Sequence, residues 1–259
     1  MKMTRKLIPA LAMLLVSAIM LSTASFAWFA SNNVATVDGM NVTVKTEASF
    51  LEIAAGNATS ATTYFSKATA ANTGLIDDGE GNKTTVELDL VRAVLSGDGK
   101  KVIVWQTGTS DDPTKPTSNT TYTEVTDAVT GQTSTYTLYN EFAVRMSAGS
   151  TDNISELVMT GVTATVTDLS TGSAGTNNLL KALRVLVVGT DGVQLYTNAT
   201  GTWTLDATNS NAYLIDEVTK DAETLQVYVY FDGDDATAYT NNVANLDNIN
   251  VTVTFGPKA

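Results

Sequence analysis

Ile249-Asn250-Val251-Thr252-Val253-Thr254-Phe255 decides the fold class, because Ile249, Val251, Val253 and Phe255 alternate without a break with Asn250, Thr252 and Thr254. Successive side chains of an extended chain point to opposite faces, so a strict period of two buries one face and wets the other. On a helix the same spacing would scatter the apolar residues around the axis. The pattern recurs upstream. Met40-Asn41-Val42-Thr43-Val44 and Val86-Glu87-Leu88-Asp89-Leu90 alternate in the same way, and Val102-Ile103-Val104-Trp105 is a short continuous apolar run. From 135 to 147, Tyr136, Leu138, Phe142, Val144 and Met146 share one face and Thr137, Tyr139, Glu141 and Arg145 the other, over a length that suits a bend or a change of sheet. Stretches 157–166, 183–188, 193–196, 225–231 and 249–255 complete about nine or ten strands.

Turn signals separate them. Asp78-Gly79, Gly97-Asp98-Gly99, Asp191-Gly192 and Asp232-Gly233 offer glycine where tight hairpins need a positive φ. Helical candidates are few: Asn178-Leu179-Leu180-Lys181-Ala182-Leu183 suits a turn or two, and 213–219 is ambiguous. Residues 107–134, rich in Thr, Ser, Asp and Pro, predict a long exposed excursion with an extra hairpin through 121–125. There is no internal repeat and no linker that splits two domains. The expected fold is all-β: one antiparallel β-sandwich, jelly-roll-like, with one or two short helices, over residues 40–259.

The N-terminus reads differently. Lys2, Arg5 and Lys6 precede an apolar run from Leu7 to Leu21, and Ser25-Phe26-Ala27 is a small-x-small site, so residues 1–27 have the pattern of a secretory signal peptide cut after Ala27 by a signal peptidase. The rival is a retained membrane helix. Ser22, Thr23 and Ser25 dilute its end and no basic stop-transfer cluster follows, so contact with a membrane is expected only through the uncleaved signal segment. The C-terminus carries no hydrophobic tail and no sortase-like motif, so no anchor is expected there. A type IV pilin keeps a glutamate near the start of its apolar helix, whereas the first acid of this chain is Asp38.

Charge and composition exclude several classes. Loss of residues 1–27 would remove three cations and no acid, taking the net charge from −12 to −15. Such a surface repels nucleic acid and anionic lipid, so no nucleic-acid partner is expected. The 259 residues include no Cys and no His, which removes disulfide staples, thiol chemistry, His-based triads and ordinary zinc sites. Glu87 and Asp89 share a strand face, but i, i+2 acids are the ordinary product of alternation in an acidic chain. No catalytic residue is assigned, and no cofactor is expected beyond a weak case for calcium. Asp77-Asp78-Gly79-Glu80-Gly81-Asn82, Ser110-Asp111-Asp112 and Asp232-Gly233-Asp234-Asp235 all depart from the EF-hand spacing. The last keeps that case open through Asp232, Asp234 and Asp235, because it ends a strongly apolar strand. Trp105, Trp203, Tyr228 and Tyr230 are candidate sugar platforms, with cross-strand packing as the plainer role. Seven N-x-[ST] sequons, at Asn41, Asn57, Asn82, Asn119, Asn153, Asn198 and Asn250, follow largely from an Asn/Thr-rich composition.

The junction Ser25-Phe26-Ala27-Trp28-Phe29, with the polar run into Val37-Asp38-Gly39-Met40-Asn41-Val42, resembles the TasA/camelysin class of secreted bacterial proteins with SipW-type signal peptides. Val227-Tyr228-Val229-Tyr230-Phe231-Asp232-Gly233-Asp234-Asp235 and the closing 248–255 are similar to the strand, acidic turn and last strand of that group. Both ends match and the middle does not. The resemblance implies a jelly-roll subunit of extracellular biofilm-matrix fibres, self-associating by strand donation. The protease activity ascribed to camelysin-like members is not implied, for want of His. The residues agree on physical grounds: 28–39 is a strand-length N-terminal segment without Pro, with Trp28, Phe29, Val34 and Val37 as apolar anchors. Head-to-tail addition to a neighbour's open edge generates filaments. Pairing with its own sandwich, or fraying, is the competing expectation. The alternative function is a monomeric secreted glycan-binding module or adhesin.

Overall fold

The computed structural model describes residues 40–46, 50–72, 91–96, 102–109, 121–124, 137–168, 180–235 and 246–259. In chain order the strands are β1 (Met40–Thr46), β2 (Leu51–Ala55), β3 (Lys67–Asn72), β4 (Arg92–Ser96), β5 (Val102–Thr109), β6 (Thr121–Glu124), β7 (Leu138–Met146), β8 (Ile154–Asp168), β9 (Leu183–Val188), β10 (Val193–Thr197), β11 (Thr204–Leu205), β12 (Ile215–Val218), β13 (Glu223–Phe231) and β14 (Leu246–Pro257). They form a five-stranded sheet β12-β8-β14-β1-β3, a six-stranded sheet β11-β10-β9-β13-β7-β2 and a three-stranded sheet β4-β5-β6. The expected all-β sandwich is therefore what the chain forms.

One core lies between the two larger sheets. Val42, Val44, Val162, Ile249, Val251, Val253 and Phe255 from the five-stranded sheet meet Leu51, Ile53, Phe142, Val144, Val185, Val227, Val229 and Phe231 from the six-stranded one. These are the residues of period two. A second, smaller cluster lies on the far face of the six-stranded sheet, where Leu186, Leu195, Tyr228 and Tyr230 pack with Val91 and Trp105. Two-sided burial explains why Leu183-Arg184-Val185-Leu186-Val187-Val188 is nearly continuously apolar rather than alternating.

Among the described residues, helix is confined to a turn at 180–182 and a 3₁₀ turn at Ala207–Asn209, which Asp206 caps by accepting from the Thr208 and Asn209 amides. The ambiguous 213–219 contains a strand, β12, instead of a helix. β7 stays within a single sheet and does not cross over. Of the hairpin expected through 121–125, residues 121–124 form β6, which pairs antiparallel with β5. The strand expected over 86–90 lies outside the described residues. Gly192, in the β9–β10 turn, does not have the positive φ expected of it; Gly56 and Gly201 are the described glycines that do. Its reason is proximity, because a Cβ there would sit 2.2 Å from the Tyr213 carbonyl oxygen.

The five-stranded sheet is mixed. β1 pairs antiparallel with β3 and parallel with β14, in a register that sets Asn41-Val42-Thr43-Val44 beside the identical Asn250-Val251-Thr252-Val253. Across β3, β1, β14 and β8 this register aligns Thr69, Thr43, Thr252 and Thr163 in one row.

Candidate functional site

An antiparallel strand turns the N–H and C=O groups of alternate residues toward each side, so every edge strand carries a row of backbone groups able to pair. β8 is the longest described strand, and on its inner side it pairs with β14 from Leu157 to Asp168, with irregularities near Thr160 and Thr167. On its outer side β12 pairs only with its first turn of chain, Ile215 opposite Leu157 and Val218 opposite Ile154. At Met159 side chains take over: its N–H donates to Gln194 Oε1 at 2.7 Å, and its C=O accepts from the Tyr196 hydroxyl at 2.9 Å. Along 160–168 no described strand lies on that side. Thr160, Thr163 and Thr165 are exposed, whereas Val162 is buried. Ala164, Leu180, Tyr196 and Trp203 are only partly buried where they pack on the core.

The other described edges are shorter or closed. β2 meets Phe65, whose backbone exchanges two hydrogen bonds with Ile53 at 2.7 and 2.9 Å. β12 exposes Asp216 and Glu217, β11 has two residues, and β3 begins with exposed Lys67. The residues assigned to polymerisation, Trp28, Phe29, Val34 and Val37, and the cleavage residue Ala27 lie outside the described residues. So do Glu87 and Asp89.

The acidic turn after β13 is described, and arginines fill it. Arg184, on β9, is buried, forms an ion pair with Asp232 at 3.1 Å, and donates to Asp235 at 3.2 Å and to the Lys181 carbonyl. Arg92 pairs with Asp234 at 3.2 Å and grips Gln106 with two donors. The Asp234 amide donates to Asp232 Oδ1, an Asx turn. Burial pushes the Asp232 carboxyl above the usual range, and Arg184 opposes that shift. Each of the three carboxylates of this turn is thus paired with a guanidinium group. Among the described residues no cluster of three or more acids is arranged for a metal. A polar cavity of about 370 Å³ beside this lattice is lined by Arg92, Arg184, Asp206, Tyr230, Asp232 and Asp234. Neither Arg92 nor Arg184 was singled out from the sequence, because one cation within an apolar run carries no signal of which acids will meet it.

The aromatic candidates pack inward. Trp105 meets Tyr230 edge-on at 5.1 Å and Tyr228 at 5.4 Å, all three being buried between the six- and three-stranded sheets. Burial pushes the Tyr228 phenol up to about 12 and that of Tyr230 higher still. Trp203 is partly buried against the main core. Trp105, Tyr228 and Tyr230 are thus buried, and Trp203 keeps part of its surface exposed. Of the sequon asparagines described, Asn153 is exposed, whereas Asn198 is buried and donates to the Leu180 carbonyl at 3.1 Å. Comparisons with protein-family models, curated proteins and solved structures returned no match.

Proposed function

We propose that this chain is a non-enzymatic structural subunit of an extracellular or cell-surface fibre of the biofilm-matrix kind. It is exported through residues 1–27, cut after Ala27 by signal peptidase, and polymerises head-to-tail by donating its N-terminal segment. The resemblance to the TasA/camelysin class supports this. The observation that carries it is the position of β1, which is already paired on both sides by its own chain. With both sides of β1 paired, a strand donated by another copy would add at an edge of the sheet.

Donation to a neighbour repeats without closing, which yields a filament. Negative-stain microscopy of residues 28–259 should show regular fibres, and removal of 28–37 should leave folded monomers. Polymerisation of the truncated form to the same extent, or an intact form that stays monomeric at high concentration, overturns the proposal.

A further inference from the structure

We infer that the cavity between β4 and the 3₁₀ turn at Ala207–Asn209 binds an amino sugar, with the sugar's ammonium seated between the Asp206 carboxylate and the Tyr230 hydroxyl. The inference is independent of how the chain polymerises.

Two groups at this cavity lack the partners that their chemistry calls for. Tyr230, on the outer face of β13, is 2% exposed, and its hydroxyl makes no hydrogen bond to any described residue. A buried phenol ordinarily finds such a partner, so one without it is poised for a ligand. The charges of Asp232, Arg184 and Asp206 all act on this phenol. Those three residues also line the cavity, so the hydroxyl faces it. Asp206 lacks a counter-charge. Its carboxylate caps the 3₁₀ turn by accepting from the Thr208 and Asn209 amides and from Asn209 Nδ2, all neutral donors. No described cation pairs with it. One ammonium, with three donors, serves both groups at once.

The arginines decide the sign of the ligand. Arg184 spends Nη1 on the Lys181 and Leu183 carbonyls and Nη2 on Asp232 and Asp235. Arg92 spends Nε and Nη2 on Gln106 and Nη1 on Asp234. An anion would have to draw these guanidinium groups from their partners and approach a chain of net charge −12. A cation meets in Asp206 a carboxylate with no counter-charge among the described residues.

The rest of the lining suits the body of a sugar. Thr197 and Asn209 bring a hydroxyl and an amide, and the Thr197 side chain bonds to no described residue. Ala93, Val94 and Leu195 form an aliphatic wall for the C–H face of a ring. The volume of about 370 Å³ lies at the small end for ligand sites and matches about a dozen waters, close to the number of non-hydrogen atoms in one hexosamine. A simple amine would leave Thr197 without a hydroxyl to meet. A neutral sugar would leave Asp206 without a counter-charge.

Titration calorimetry of the intact chain with glucosamine tests the site. Saturable binding is expected in the millimolar range or tighter. Glucose, N-acetylglucosamine and propylamine should each bind about tenfold more weakly, as for loss of one hydrogen bond to a charged group or its equivalent in hydroxyl contacts. Asp206→Asn keeps the cap, since Asn serves that position as well as Asp, and Tyr230→Phe removes an oxygen that bonds to nothing described. Both variants should therefore keep the parent's unfolding temperature while weakening glucosamine about tenfold. Asp216→Asn, at an exposed acid on β12, should change neither. The disaccharide of glucosamine separates two sources of the same chemistry: equal affinity supports capture of a residue within a polysaccharide, and a marked loss supports the free sugar. Absence of saturable glucosamine binding, equal binding of glucose or propylamine, or affinity untouched by Asp206→Asn and Tyr230→Phe overturns the assignment.

Discussion

Asn41 donates its side-chain amide to Asn250 Oδ1 at 3.3 Å across the parallel pair of β1 and β14, joining the equivalent residues of two identical tetrapeptides. The bond is long and partly exposed, while the valines on the other face of both strands are fully buried. Burial should therefore dominate this seam. Val42→Ala is expected to cost about 2 kcal/mol, from two lost methyl groups and the space they leave. Asn41→Ala should cost at most about 1 kcal/mol, as for an exposed neutral hydrogen bond. Urea unfolding followed by circular dichroism separates the two, and a larger loss for Asn41→Ala would show that the seam is held by its polar face.

That seam also marks what the sequence can and cannot say. Alternation in Ile249–Phe255 and in Leu138–Met146 announced strands and their buried faces correctly, because one-sided burial writes a period of two into the residues. It cannot name neighbours, so the parallel register of β1 on β14 had no signature beyond a four-residue identity too short to count as a repeat. Lys67-Ala68-Thr69-Ala70 of β3 carries no strand signal and the four residues of β12 only an ambiguous one, because small or few apolar side chains give a weak period. Cross-strand packing is the plainer role the sequence offers Tyr228 and Tyr230, but the sheet that buries them comes from β4 and β5, far away in sequence. The acidic turn was visible as acid; the arginines that fill it were not.

The Arg184 lattice makes a quantitative prediction. Arg184→Met leaves Asp232 and Asp235 without a nearly buried counter-charge, and removing one partner of such a group costs about 3 to 5 kcal/mol. Acid should relieve the loss. The Asp232 carboxyl is already raised in the fold, so the native state holds its proton more firmly than the unfolded chain and becomes less favoured as pH rises through the ordinary carboxylate range. Without Arg184 opposing it, that shift grows. The variant's deficit should therefore be smaller near pH 4 than at pH 7 in urea titrations, and an equal deficit at both would mean the carboxylates do not sense Arg184.

Calcium provides a second test of the same turn. With Arg184 and Arg92 in place, millimolar calcium should leave the unfolding temperature of the parent protein unchanged by calorimetry, since a cation would have to displace guanidinium groups already bonded to the carboxylates. A rise in Tm with calcium would show that the arginines yield.

Alkali should unfold the protein through its buried phenols. Tyr228, pushed up to about 12 by burial and by the Glu141 charge, and Tyr230, raised further, stay protonated in the fold while the unfolded chain ionises near pH 10. Between those values the native state binds more protons, so stability is intact below about pH 10 and falls above it, by up to about 1.4 kcal/mol per pH unit for each such tyrosine. Phenolate absorbance should rise in the same transition in which circular dichroism is lost. A smooth titration of all nine tyrosines at pH 10 without unfolding would contradict their burial.

The β9–β10 turn is held by proximity, and methyl groups test it. Gly189 and Gly192 lie against the segment before β12: a Cβ at Gly192 would meet the Tyr213 carbonyl oxygen at 2.2 Å and one at Gly189 the Leu214 carbonyl oxygen at 2.3 Å. Those carbonyls are backbone and cannot swing aside. The Leu214 oxygen also accepts from the Asp191 and Gly192 amides, so any shift breaks two bonds that tie this turn to the segment leading into β12. Gly192→Ala should thus cost about 2 to 3 kcal/mol or more, as for overpacking a tight site. Gly149→Ala, at a turn with nothing within 4 Å and no positive φ, should be neutral or slightly stabilising by restricting the unfolded chain. Because β12 pairs with β8 only over its first residues, the Gly192→Ala variant should also speed amide exchange at Leu157 and its neighbours. Equal stability of the two variants would mean that the turn and the 213–214 backbone are not in contact in solution.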